Sequence, residues 1–213
     1  MPDPVLCKIC GKRRAKRFCP AVHGDICPLC CGTEREVTLS CPLECEYLQE
    51  AHKREKPLLV PDSELSNRDI KVTEQFLQSH EELLMFCIYA LFQAAVQTSG
   101  AVDTDVMPAL EALIQTRRTM ASGLIYETRS PNLIASAVQA EFTKSLEGYQ
   151  QTRAQQGLAP VRDAEILGIL VFLHNFGQRS QNGRPRGRMF VDFLRGMTPD
   201  PGRVEQPAPS IIL

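Results

Sequence analysis

Beyond residue 67 the chain is patterned as helices. The run from Leu83 to Val96, L-L-M-F-C-I-Y-A-L-F-Q-A-A-V, is apolar nearly all round. Such a segment is a helix covered on most sides, so a central helix is predicted from Thr73 to about Thr98, ended by Ser99-Gly100. Two starts compete for its front: Ser66 with Asp69, stapled by Leu65 and Ile70, and Thr73, stapled by Val72 and Leu77. Val106, Leu110, Leu113, Met120 and Leu124 keep a four-three spacing, which predicts a second helix over 103–127 with Arg117 at the edge of its seam. Ser130-Pro131 opens a third, whose face is Ile134, Val138, Phe142, Ser145 and Tyr149 and which frays near Gly157. Asp163 opens a fourth, with Ile166, Ile169, Leu170 and Leu173 inside it and Gly177 as its stop. A fifth, from Arg188 to Leu194, carries Phe190 and Phe193 and is capped by Gly196. Four prolines between Pro199 and Pro209 predict a disordered tail over 198–213.

The first 52 residues follow another rule. Eight of the nine cysteines fall between Cys7 and Cys45. Cys7 and Cys10 form C-x2-C, Cys19 and His23 form C-x3-H, Cys27 and Cys30 form a second C-x2-C, and Cys41 and Cys45 form C-x3-C. Each pair can turn two ligand atoms toward one ion, and Zn2+ takes four in a tetrahedron. Four pairs therefore predict two zinc ions, held by Cys7, Cys10, Cys19, His23, Cys27, Cys30, Cys41 and Cys45. Sequential and interleaved pairing both satisfy the count; one ion with spare thiols is the main variant. Cys31 and His52 are alternative ligands. Pro42 suits the first turn of a helix, so Cys41 to Lys53 is expected to close the module as a helix, and 53–67, with Pro57 and Pro61, to be a linker. The bundle domain is then 68–197.

The opening C-x2-C, the eight-residue gap, Arg17-Phe18-Cys19-Pro20 and the closing C-x3-C resemble the cross-braced zinc fingers of the HIT and MYND type. That resemblance covers about a fifth of the chain. It implies a small treble-clef or cross-braced module in which the pairs interleave: Cys7, Cys10, Cys27 and Cys30 on one ion, Cys19, His23, Cys41 and Cys45 on the other. It also implies a role in binding protein partners. The sequence departs from those families at His23, where cysteine is usual, at the additional Cys31, and in the long segment from Gly32 to Ser40. The run C-C-G-T-E-R followed by C-P-x-x-C-x-Y-L is also similar to that of uncharacterised bacterial proteins.

Composition narrows the function classes. An odd cysteine count and an opening Met-Pro-Asp-Pro that reads as no signal peptide argue against a disulfide framework and for a cytoplasmic protein. The longest apolar run is too short to span a bilayer, so no membrane association is expected. Cys87, within that run, reads as a buried structural thiol. Histidines are scattered, with His80 expected on a solvated face, and H-E-x-x-H, E-x-x-H, P-loop and G-x-S-x-G patterns are absent. A zinc ion bound by four protein ligands has no open position, which makes it structural. The fold class expected is mainly α: a small zinc module followed by an antiparallel helical bundle. The function expected is a non-enzymatic adaptor with an unknown protein partner. The alternative is nucleic-acid binding through two basic stretches, the finger loop with Arg13, Arg14 and Arg17, and the loop Arg179 to Arg188 with Arg184, Arg186 and Arg188.

Overall fold

A computed structural model of the chain describes residues 5–56, 58–123 and 126–198. Mainly helical, it holds eight α-helices and one two-stranded sheet among the described residues. The N-terminal part comprises β1 (Arg17–Cys19), β2 (Gly24–Ile26), α1 (Pro28–Glu34) and α2 (Glu46–His52). The remainder comprises α3 (Glu74–Ser79), α4 (Glu81–Gln97), α5 (Asp103–Ala121), α6 (Leu133–Gln155), α7 (Asp163–Ser180) and α8 (Met189–Met197). The two strands pair antiparallel, with Phe18 opposite Asp25. No helix among the described residues is long and apolar enough to cross a membrane.

Helix starts follow side-chain chemistry. Thr73 caps α3 by accepting the Phe76 N–H at 3.1 Å, so it wins over Ser66. Asp69 instead clamps Arg118 through both carboxylate oxygens, at 2.6 and 2.8 Å. The single helix expected over 73–98 is broken at His80, whose backbone leaves the helical region. His80 is half-buried rather than solvated: its ring lies 4.3 Å from that of Phe76 and its Nδ1 bonds the Phe76 carbonyl at 2.8 Å. The cap of α6 is Asn132, whose Oδ1 accepts from Ile134 and Ala135, two residues past the expected Ser130. Ala121 ends α5 well before the expected 127, because the chain turns at Gly123 with φ of 82°. Met120 is exposed, and Leu124, expected on the same face, lies outside the described residues. The tail expected to be disordered also lies outside them beyond Thr198.

The apolar faces close on one core. Leu91, Leu110, Ile114, Phe142, Ile169, Leu170 and Phe190 are fully buried in it, as is Cys87. α5 packs on α6 and α7, while α4 packs on α6, α7 and α8. Gly177 does not stop α7, which runs on to Ser180. It is a point of close approach: a Cβ there would meet Met107 and stand 3.1 Å from Phe190 Cε1. Gly177→Ala is therefore expected to destabilise the protein by about 1–3 kcal/mol. Gly148, in α6, has nothing within 4 Å of its missing Cβ, so Gly148→Ala should stabilise by about 0.5–1 kcal/mol. Urea midpoints of the two variants at constant slope would show opposite signs.

The loop 181–188 joins the N-terminal part to the bundle. The Arg186 N–H donates to the Glu36 carbonyl at 2.9 Å and the Arg188 N–H to Glu36 Oε1 at 2.7 Å. Asn182 donates to both Glu36 and Glu55, at 2.8 and 3.0 Å. From α8, Arg195 donates to the Leu43 carbonyl at 2.9 Å.

Candidate metal centre

A hairpin and a helix start bring two cysteine pairs together. The first pair sits on a turn that closes when the Gly11 N–H reaches the Cys7 carbonyl at 2.7 Å. Gly11 has φ of 61°, a left-handed conformation that glycine adopts without strain. The Lys8 N–H donates to the Asp25 carbonyl at 2.9 Å and lays this turn against β2. The second pair follows β2 directly: Cys27 caps α1, its sulfur accepting the Cys30 N–H at 3.4 Å, with Pro28 in the first turn.

The Sγ atoms of Cys7, Cys10, Cys27 and Cys30 all lie within 4.8 Å of one another. Among the described residues this is the group of ligand atoms that converges to that degree. A ZnS4 tetrahedron with Zn–S near 2.3 Å has edges of about 3.8 Å, so these four sulfurs fit a tetrahedral ion with small adjustments. Three of the four are buried and Cys10 is half-buried. The electrostatics fit as well. Backbone N–H groups of Lys12 and Arg13 pull the Cys10 thiol down to about 6. Burial, with the neighbouring thiols, pushes Cys30 up to about 12. Four sulfurs so close cannot all ionise unaided; a divalent cation lets them. The Arg13 guanidinium, partly desolvated, is held more firmly charged by the sulfurs of Cys10 and Cys27 beside it.

The other predicted ligands are placed differently. Cys19 ends β1, and Cys41 and Cys45 flank a turn rather than riding a helix: the Cys45 N–H bonds the Pro42 carbonyl at 3.1 Å, and α2 begins only at Glu46. His23 is exposed, with a left-handed φ of 47°, and its carbonyl accepts from Lys8 Nζ at 3.2 Å. Among the described residues neither His23 nor Cys19, Cys41 and Cys45 belongs to a group converging as closely as the first four cysteines. His52 is buried away from the sulfurs, bonding Glu36 at 3.0 Å and Asp192 at 2.8 Å.

The arginines named as nucleic-acid contacts are mostly engaged within the protein. Arg184 donates to the Arg35 carbonyl and to Glu55, both at 2.7 Å, Arg186 to Ser40 at 2.6 Å, and Arg188 to the Ala101 carbonyl at 2.9 and 3.1 Å. Arg17 lies 4.3 Å over the Tyr47 ring and donates to Cys31 Sγ at 3.6 Å. Arg14 is exposed, with Lys12 and Lys16.

One residue of consequence escaped the sequence reading. Glu36 is fully buried with φ of 54°, an unusual conformation for a long side chain. In the sequence it is one acid among several between Glu34 and Glu50, and nothing in its neighbours marks it. A cleft of about 650 Å³ lies between α5 and α6; of its polar groups, Arg117 pairs with Asp163 at 2.7 Å and Gln139 holds the Thr128 carbonyl at 2.6 Å. Compared with protein-family models, curated proteins and solved structures, the chain finds no match.

Proposed function

We propose that the protein is a non-enzymatic, zinc-stabilised adaptor whose N-terminal module binds a protein partner. The observation that carries this reading is the closed set of four buried or half-buried cysteines, Cys7, Cys10, Cys27 and Cys30. Four protein thiolates fill a tetrahedral ion and leave no position for water or substrate, so the ion organises the chain rather than reacting. A ligand turn, a hairpin and a helix start with the second ligand pair are compatible with the treble-clef module that the HIT and MYND resemblance implies. Tetrahedral all-sulfur sites also take iron; a colourless protein with zinc on elemental analysis is the expected result. Apolar side chains left exposed on the module, Phe18 at 60%, Leu29 at 53% and Leu6 at 53%, suit a protein partner.

Nucleic-acid binding is the second reading, favoured by the exposed Lys12, Arg14 and Lys16. With the loop 181–188 engaged internally, about three phosphate contacts remain, and log K against log salt should have a slope near about −3 for duplex DNA. Affinity capture with the full chain and with Cys7→Ser, each with and without nuclease, separates the two readings. The adaptor reading expects proteins that survive nuclease and are lost with Cys7→Ser. Capture abolished by nuclease, together with oligonucleotide binding at ~50 mM salt, would replace it with the second reading.

A further inference from the structure

Cys31 stands next to a ligand of the first cluster and takes no part in that cluster. Successive helical residues are set about 100° apart, so Cys30 and Cys31 in the first turn of α1 serve different sides of it. On its own side, Cys31 faces a small cavity together with Cys19 from the end of β1 and Cys41 and Cys45 from the turn before α2. These four line one small cavity of about 10 Å³, with Arg17 and Arg35 beside them. Cys19, Cys31 and Cys41 are 7%, 8% and 7% exposed, and Cys45 is half-buried. A space of this size is at the lower limit for one water, which suits a bare ion and excludes a substrate.

We propose that this cavity is a second zinc site, with Cys19, Cys31, Cys41 and Cys45 as its ligands. The proposal rests on the reading of the module as zinc-binding and changes the ligand set expected from sequence, with Cys31 in place of His23. The surroundings supply what a tetrathiolate needs. Four thiolates and Zn2+ carry a net charge of about −2, which N–H donors and cations must offset. Arg17 Nη1 already donates to Cys31 Sγ at 3.6 Å. Arg35 Nε is buried and unpartnered among the described residues, a costly arrangement unless anionic sulfur stands near it. The four sulfurs are spread wider than the 4.8 Å that encloses the first group, and an ion would draw them together by side-chain rotation. Such an ion would also fix the segment from Arg35 to Cys41, which carries Glu36 to its partners in the loop 181–188.

Elemental analysis of the full chain, purified without chelator, is expected to give two zinc ions per chain. The count should fall to one in Cys31→Ser and stay at two in His23→Ala and Cys87→Ser. Should Cys31→Ser fail to fold, reconstitution with Co2+ decides the matter. Wild type and His23→Ala should each take two equivalents with the same sulfur-to-metal charge-transfer absorption. Saturation of wild type at one equivalent, or loss of the second equivalent in His23→Ala, overturns the second site and leaves the first in place. A protein that binds neither metal overturns the zinc reading of the whole module.

Discussion

Stripping metal from the intact protein is expected to unfold residues 5–45 and leave the bundle folded. The buried cluster of the module is nearly all cysteine: Cys7, Cys19, Cys27, Cys30 and Cys31, with Ile26 as the one buried aliphatic side chain among them. So small a core, with only Cys10, Ala21, Val22, Leu39 and Tyr47 partly buried against it, cannot offset the ordering of some forty residues, at about 1–2 kcal/mol each. Structural zinc contributes about 10–16 kcal/mol in comparable small modules at pH 7. The bundle's core runs from Leu83 to Leu194, with Leu43 its one buried member from the N-terminal part, and needs no ion. Hydrogen exchange gives the sharpest measurement. The amides of Cys7, Lys8 and Lys16, bonded to the carbonyls of Arg13, Asp25 and Ile26, should lose protection on chelation. Amides in the middle of α4, α5 and α7 should keep theirs. Helical circular dichroism should fall only slightly, since α1 and α2 have 7 residues each. Continued protection of the Lys8 and Lys16 amides in metal-free protein would mean that the module folds without an ion.

The helical part was legible because its signals are local and repeated. The apolar runs around Leu91, Leu110, Phe142 and Leu170 mark α4 to α7, and those residues are the core. Boundaries were less legible where two local signals competed. Thr73 and Ser66 both read as caps, and only the bidentate pull of Arg118 on Asp69 takes the second out of use. Gly177 reads as a helix stop by propensity, yet its role is close packing against Met107 and Phe190, a tertiary fact with no local mark. Short connections would favour successive helices packing side by side; α5 and α6 do so, while α4 packs chiefly on α6, α7 and α8.

At the site, spacing named the cysteines but not the directions in which they face. Cys7, Cys10, Cys27 and Cys30 come together because the hairpin between them returns the chain upon itself, and a pairing of that kind is invisible to spacing alone. Cys31 is read as surplus in a linear pattern; the rotation per residue of α1 is what turns it toward Cys19. The arginine loop is the converse case. Its composition suits phosphate, but Arg184, Arg186 and Arg188 find carbonyls, Glu55 and Ser40 that lie far away in sequence. Glu36 had no signal at all, since its importance comes from burial opposite His52.

Replacing His52 is expected to be the most damaging single change outside the cysteines. His52 lies between two carboxylates, with Nε2 3.0 Å from Glu36 Oε1 and Nδ1 2.8 Å from Asp192 Oδ2. Burial alone would lower its pKa, but the bonds to Asp192 and Glu36 and their charges outweigh this and raise it to about 9. His52→Ala leaves two carboxylates facing each other without the cation, and a cost of about 3–5 kcal/mol is expected for breaking a buried pair of this kind. The pH dependence follows from the direction of the shift. The imidazolium is favoured in the folded protein, so its contribution is complete below about 6.5 and is lost as pH rises through about 9. Its size, for a rise from 6.5 to about 9, is about 3 kcal/mol. Asp103 is pushed up to about 7 by burial, so its cost to stability sets in between about 4 and 7 and stays constant above that. The two are separated by His52→Gln, which keeps a hydrogen-bonding group but cannot take the charge. Stability from urea unfolding, measured from pH 6 to 10, should fall more steeply in wild type than in His52→Gln, and the two curves should converge above about pH 9. Metal loss cannot imitate this limb, because thiolate ligands hold zinc more tightly as pH rises. Parallel curves for the two proteins would show that His52 is neutral in the folded state and that Glu36 is neutralised by other means.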